Sequence, residues 1–183
     1  VMFEDFINQV HPVIVAIRRM PKPVLASVSG AAAGFGLSLV LATDLAVAAD
    51  TAYFTLAYTL IGTSPDGGST FSLPRLVGMK KAMEIALLGD RFDAPTAARL
   101  GLINWIAPEK ELAEATMALA TRLAAGPTAV YGRTKALLQQ SPDTSLHDQL
   151  HAEAENFALS ASEPDFAEGI AAFLEKRPAK FNG

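Results

Sequence analysis

The feature that most limits how this chain can fold is the run over residues 23–43, PVLASVSGAAAGFGLSLVLAT, which holds no charged side chain until Asp44 ends it. Its length would suit a membrane span. Its content does not: it is built from Ala, Gly and Ser with few bulky side chains, and Asp44 closes it without basic anchors. The run divides more naturally into a buried strand, VLASVS (24–29), a turn with three glycines, GAAAGFG, and a short buried helix, LSLVLAT. LAVAAD (45–50) then forms a second apolar strand, and AYFTLAY (52–58) a third extended piece. Strands that are apolar throughout, rather than alternating, belong to a sheet covered on both faces, which is the habit of parallel α/β sheets.

Ahead of this region, residues 2–20 put Phe3, Phe6, Ile7, Val10, Val13, Ile14 and Ile17 at helical spacing. Pro12 is expected to kink or split that helix, and Pro21 and Pro23 to stop it. Downstream, IGTSPDGGST carries turn chemistry centred on Pro65-Asp66-Gly67-Gly68. Short helices are expected through TFSLPRLV, KKAMEIALL and APTAARLG, the last ended by Gly101, followed by a strand, LINWIA. From about residue 109 the pattern is helical only: ELAEATMALATRLAAG, TAVYGRTKALLQQ after Pro127, SLHDQLHAEAENFALSA and PDFAEGIAAFLEKR. The expected organisation is an α/β core over 1–108 and a helical part over 109–183.

Several function classes drop out on composition. A net charge of −4, with no basic run longer than Arg18-Arg19 or Lys80-Lys81, argues against nucleic acid as a partner. Without cysteine there is no disulfide framework, thiolate nucleophile or zinc-thiolate site, which fits a reducing cytoplasm. The chain opens directly on the amphipathic VMFEDFINQV rather than on a signal-peptide pattern. Its first residue is Val, so a piece of a longer protein is an expectation to keep.

Three motifs invite chemistry and then weaken. Ser29-Gly30 with Gly34 and Gly36 after a strand, Asp50 ending the next strand, and Tyr131-x3-Lys135 imitate a dinucleotide-dependent dehydrogenase. Such a site needs a full βαβ unit of about thirty residues, and LSLVLAT is too short a crossover. Tyr131 and Lys135 also fall where an amphipathic helix is expected to meet solvent. His147 and His151 stand at metal-ligand spacing, but no Glu occupies the second position and no third ligand is evident, so solvated helix histidines are expected. Asp66, in a glycine-rich turn before a helix beginning near Ser69, reads on its own as a turn former or N-cap, worth about 1 kcal/mol.

Together, KPVLASVSGAAAGFGLSLVLATDLAVAAD, IGTSPDGGSTFSLPRLVGMKKAMEIALLGDRFDAPTAARLGLINWIAP and AAFLEKRPAKF resemble the crotonase (enoyl-CoA hydratase/isomerase) superfamily across nearly the whole chain. The resemblance implies a crotonase-like α/β fold, a stacked ββα core followed by a helical oligomerisation domain, with the N-terminal, strand-rich part of the core missing from this chain. It implies an acyl-CoA substrate whose coenzyme A is part of the substrate, with no separate cofactor and no metal. It further implies a trimer or dimer of trimers, no membrane or nucleic-acid partner, and a cytoplasmic location. The shared chemistry of the superfamily is stabilisation of a thioester enolate by two backbone N–H groups. By position one donor is the amide of Phe35, flanked by Gly34 and Gly36, at a helix N-terminus where amides are unpaired and small neighbours admit a ligand. The other donor belongs to the missing segment.

Hydratases of this superfamily hold a water between two glutamates, and the matching positions here are Ser38 and Tyr58, neither of which is a carboxylate base at neutral pH. Isomerases use an aspartate in the PDGG turn, here Asp66, and the chain is similar to the epoxyphenylacetyl-CoA isomerases of phenylacetate breakdown. The implied activity is therefore isomerisation of an enoyl-CoA or ring-enoyl-CoA by Asp66, with Gly34, Gly36, Ser38, Tyr58 and Gly62 around the substrate. A hydratase with atypical acid and base groups, or a CoA-binding protein without catalysis, are the alternatives. Chlorobenzoyl-CoA dehalogenases also place an Asp at this turn, but their base His falls near Val15 and their pocket Trp at Tyr58. His11 lies one helical turn from Val15. In AAFLEKR, Phe173 and Lys176 match positions that approach the CoA of a neighbouring subunit, while the residues alone read Phe173 as a core anchor with Ile170 and Leu174.

Overall fold

The computed structural model describes residues 2–181. The chain forms two compact units, one of residues up to Arg19 with Val24–Met117, the other of Met20–Pro23 with the residues from Ala118 onward.

The first unit opens with helix α1 (Met2–Arg19), which runs unbroken through Pro12. The expected split does not occur. Pro12 is exposed, so the carbonyl that loses its intrahelical partner stays within reach of water, and the helix survives the lost bond. Of its apolar stripe only Ile14 is buried. Strands β1 (Leu25–Val28), β2 (Ala31–Ala33), β3 (Leu45–Ala49) and β4 (Tyr53–Thr55) follow, with helix α2 (Phe35–Ala42) between β2 and β3. Helix α3 (Ser69–Leu88), strand β5 (Phe92–Asp93), helix α4 (Ala94–Arg99) and strand β6 (Trp105–Ala107) complete the α/β part.

Two three-stranded sheets result. In the first, β3 lies between β1 and β6 and all pairings are parallel, with Leu25 opposite Leu45 and Val47 opposite Trp105. In the second, β4 pairs in parallel with β2 and antiparallel with β5. Ala46, Val47, Ala48 and Ala49 of β3 are all buried, as expected of a central parallel strand. One expectation is corrected. The segment GAAAGFG is not all turn, because its alanines form β2, and only Gly30 and Gly34 take positive φ. The two short helices expected between 70 and 88 are present as the two halves of α3, on either side of a non-helical break at Gly78 (φ 75°, ψ 159°). Leu37, Phe54, Leu56 and Leu73 are fully buried, and Phe54 stacks on Phe92 with centroids 5.8 Å apart. Each such side chain contributes roughly 1.5–3 kcal/mol by leaving water.

Helix α5 (Leu112–Ala124) starts in the first unit and ends in the second, which also holds α6 (Thr128–Gln140), α7 (Leu146–Ala161) and α8 (Pro164–Glu175). Ser145 caps α7, its Oγ accepting the Asp148 N–H at 3.2 Å. Lys135 was expected at the surface and is buried instead, its Nζ donating to the Lys22 carbonyl at 3.3 Å. The cause is one position nearby: a Cβ on Gly132 would sit 2.5 Å from the Pro21 carbonyl oxygen, so this bare stretch of α6 lets the Met20–Pro23 segment close over it. Phe173 and Leu174 are 80% and 72% exposed and Ile170 is half-exposed, so the core-anchor reading of Phe173 fails. The apolar run 23–43 resolves into β1, β2 and α2, and no helix among the described residues is long and apolar enough to cross a membrane.

Candidate active site

The site is built where the start of α2, a short 3-10 turn and the glycine-rich turn before α3 meet. Gly34 (φ 53°, ψ −121°) turns the chain out of β2, donating its own N–H to the Thr55 carbonyl at 3.0 Å. Phe35 then begins α2, and among the described residues no acceptor meets its N–H, the usual condition of a first-turn amide. Ala57, at φ 54°, reverses the chain after β4 into the turn Tyr58–Ile61. That reversal lays the Tyr58 ring against Gly34, where a Cβ would lie 3.6 Å from its Cζ.

From there the Tyr58 hydroxyl donates to Oδ1 of Asp66 in a very short hydrogen bond. Burial, then the Asp66 hydrogen bond and charge, push the Tyr58 hydroxyl up to about 12. At neutral pH it therefore stays protonated and donates. The buried Ser38 hydroxyl donates to the Asp66 backbone carbonyl at 2.9 Å. The next amide, Gly67 N–H, donates to Nε2 of His11 at 3.3 Å. Gly67 has φ 63°, and a Cβ there would collide with Ser38 Cβ at 2.7 Å and Phe35 Cδ2 at 2.8 Å. Only glycine fits.

The structure thus gathers Gly34, Phe35, Ser38, Tyr58 and Asp66 around one point. Asp66 is not a side-chain N-cap: α3 is preceded by Gly68 and has no side-chain cap. The carboxylate turns to Tyr58 instead, and only the Asp66 carbonyl accepts from Ser69 Oγ, at 3.2 Å. Gly36 is the second residue of α2, with open space where a Cβ would stand. Gly62 ends the Tyr58 turn at φ 75°, exposed, also beside open space. Phe173 and Lys176 belong to the second unit, where Lys176 (φ 54°) caps α8, and both are exposed. His147 and His151 are exposed beside Asp148 and Glu155, and no group of acidic, His or Cys side chains among the described residues could hold a metal ion. His11, one helical turn from the position of the dehalogenase base, and Gly67 of the turn join the cluster through a contact that the sequence does not foretell. They are 56 residues apart, and no local pattern joins them.

Chemically the cluster offers one carboxylate oriented by a neutral phenol, and one helix-terminal amide at the start of α2, the helix whose Ser38 bonds the same turn. Ser38 and Tyr58 contribute hydroxyls already engaged by Asp66. The chain matches the enoyl-CoA hydratase/isomerase family profile over residues 4–183. It is 43% identical over 176 residues to a probable enoyl-CoA hydratase of Rhodobacter capsulatus, covering 96% of this chain and 68% of that protein. It is 36% identical over 173 residues to 1,2-epoxyphenylacetyl-CoA isomerase of Escherichia coli, covering 94% and 66%. A 4-chlorobenzoyl coenzyme A dehalogenase of an Arthrobacter species is 37% identical over 166 residues, 91% and 60% being covered. Among solved structures, an enoyl-CoA hydratase from a Polaromonas species superposes with a TM-score of 0.93 at 38% identity, over 96% of this chain and 68% of that one. The chain therefore spans between 60% and 68% of the length of these relatives, and over nearly all of its own length it belongs to the enoyl-CoA hydratase/isomerase family.

Proposed function

We propose that this chain carries the base of an acyl-CoA isomerase that moves a carbon–carbon double bond along a thioester-activated chain or ring. The observation that carries the proposal is the Tyr58 hydroxyl donating to Asp66, in a turn that packs against the ring of Phe35, the first residue of α2. The ionised Asp66 carboxylate takes a proton from the carbon next to the thioester carbonyl of a β,γ-enoyl-CoA. The C–H electron pair passes into the thioester as a dienolate, and the Phe35 N–H receives the charge growing on its oxygen. Neutral Asp66 returns the same proton to the γ carbon, leaving the conjugated α,β-enoyl-CoA. No proton is gained or lost overall, so one carboxylate suffices and no cofactor beyond the substrate's own CoA is required. Gly34 and Gly36 keep the approach to the Phe35 amide clear, Gly62 is proposed to line the path of the acyl-CoA, and Phe173 and Lys176 are proposed to approach the CoA bound by a neighbouring subunit.

Water addition asks for more. One group must activate the water and another must supply a proton, while Ser38 and Tyr58 already spend their hydroxyl protons on Asp66. Hydration remains the second reading, because the relative that is 43% identical is described as a probable hydratase. The test is to run 3-hexenoyl-CoA isomerisation and crotonyl-CoA hydration side by side on the full chain. Isomerisation is expected to exceed hydration by at least ~10²-fold, the usual contribution of a placed acid–base group. Equal or faster hydration refutes the isomerase reading, and binding of either thioester without turnover refutes catalysis altogether.

A further inference from the structure

The peptide unit joining Asp66 to Gly67 is held at both ends by side chains from two different helices. At its carbonyl end, Ser38 Oγ of α2 donates at 2.9 Å; at its amide end, His11 Nε2 of α1 accepts at 3.3 Å. Its face is closed as well, because Gly67 lies against Ser38 Cβ and the Phe35 ring with no room for a side chain. A peptide is planar, so fixing its oxygen, its nitrogen and one face fixes its orientation, and with it the direction in which the Asp66 side chain leaves the backbone. The turn needs such support. Gly67 and Gly68 are consecutive residues at positive φ, 63° and 77°, and glycines give the backbone the widest choice of conformations. An amide N–H can only donate, so in this contact His11 Nε2 is the acceptor and offers its lone pair.

From this geometry we propose that His11 and Ser38 are positioning residues, a two-sided clamp that aims the Asp66 carboxylate. The proposal rests on Asp66 being the base. It also changes the part given to Ser38, whose hydroxyl serves the backbone of the turn rather than the substrate. His11 does not act as a second base through Nε2, since that lone pair is occupied by the Gly67 amide. Small misplacements of a catalytic group cost rate more than binding, up to about 10²-fold for about 1 Å. Loss of the clamp therefore belongs in kcat.

The experiment compares His11→Leu, which keeps bulk but has no acceptor, with His11→Gln, whose Oε1 can accept the Gly67 amide. 3-Hexenoyl-CoA isomerisation is the assay, and both variants are repeated in an Asp66→Asn background. The expected result for His11→Leu is a kcat at least ~10-fold lower with KM little changed. His11→Gln should recover most of that loss, and His11→Leu should add nothing once Asp66 is Asn, because it acts through Asp66. Unchanged kcat in His11→Leu overturns the clamp, as does an equal loss in His11→Gln, or a loss that multiplies with Asp66→Asn. Should His11→Leu fail to fold, Ser38→Ala interrogates the other end of the same peptide, and an unaltered kcat there overturns the inference equally. Full turnover in Asp66→Asn alone defeats the isomerase reading itself, an outcome distinct from any of these.

Discussion

Replacing Asp66 by Asn removes a proton acceptor while preserving most of what the turn is made of. The backbone carbonyl keeps its bonds from Ser38 Oγ and Ser69 Oγ, and no helix cap is lost, because the carboxylate does not cap α3. The Tyr58 hydroxyl can still donate to the amide oxygen at position 66. What disappears is the charge on that acceptor. Hydrogen bonds to charged groups contribute roughly 1.5–3 kcal/mol against roughly 0.5–1.5 for neutral pairs, so the half-buried Asp66 should cost about 1 kcal/mol of stability. In a chain of this length that is a melting point lower by about 2–4 °C. Turnover should fall far more, by at least ~10²-fold, because the proposed mechanism loses its base. On the barrier this is about 2.7 kcal/mol, nearly three times the stability effect. The assay is 3-hexenoyl-CoA isomerisation followed by absorbance, with thermal melts and acyl-CoA binding on the same preparations. A companion signal comes from Tyr58: its hydroxyl, pushed to about 12 in the intact site, should titrate lower, though still raised, since burial is the first cause and survives the change. An Asp66→Asn protein with full turnover would show that Asp66 only shapes the turn.

Gly67→Ala places a Cβ at 2.7–2.9 Å from Ser38 and Phe35 on a backbone at φ 63°. The backbone part costs about 1–2 kcal/mol and the crowding about 1–3 kcal/mol, so a melting point lower by roughly 4–20 °C is expected; an unchanged melt contradicts the close approach. The Tyr58 hydroxyl is raised from 10 to about 12, so the native state holds its proton more tightly than the unfolded chain. Its share of stability is complete below pH 10 and is lost as pH rises through about 12. Urea unfolding of Tyr58→Phe against the parent should show the two curves converging over that window, and parallel curves refute the assignment. The exposed Phe173 and Leu174 of α8 fit a helical part that self-associates, so light scattering on the full chain should give a trimer or dimer of trimers with closed symmetry. A monomer at micromolar concentration refutes this.

The parts of this molecule written in local chemistry were readable beforehand. Uniformly apolar, alanine-rich segments announce buried parallel strands, and Pro65-Asp66-Gly67-Gly68 announces a turn with an acid in it. Less visible was everything decided at a distance. Lys135 has the spacing of a surface residue, yet Gly132 on the same helix face lets the Met20–Pro23 segment cover it. Ala57 at φ 54° is what swings Tyr58 onto Asp66, and nothing in an alanine foretells a left-handed backbone. Pro12 carries a strong local rule, broken because its position is exposed and the lost bond can be hydrated. The partner of Gly67 lies on another helix, 56 residues away, where periodicity has no reach.

The spans of the contacts that assemble the turn also set an order in time. They close over 8 residues from Tyr58, 28 from Ser38 and 56 from His11, and each doubling of a loop adds only about 0.6 kcal/mol of closure entropy. Synthesis delivers the N-terminal side first, so all three can form once Gly68 has left the ribosome. The edge of β3 that β6 will occupy waits longer, since Asn104, which receives the Ala46 amide, comes 58 residues after it. During that interval the β3 edge is an unpaired apolar strand edge, the kind of surface that seeds aggregation. Damage to β6 should therefore appear first as lost yield, in material whose surviving fraction still has an intact Asp66 turn.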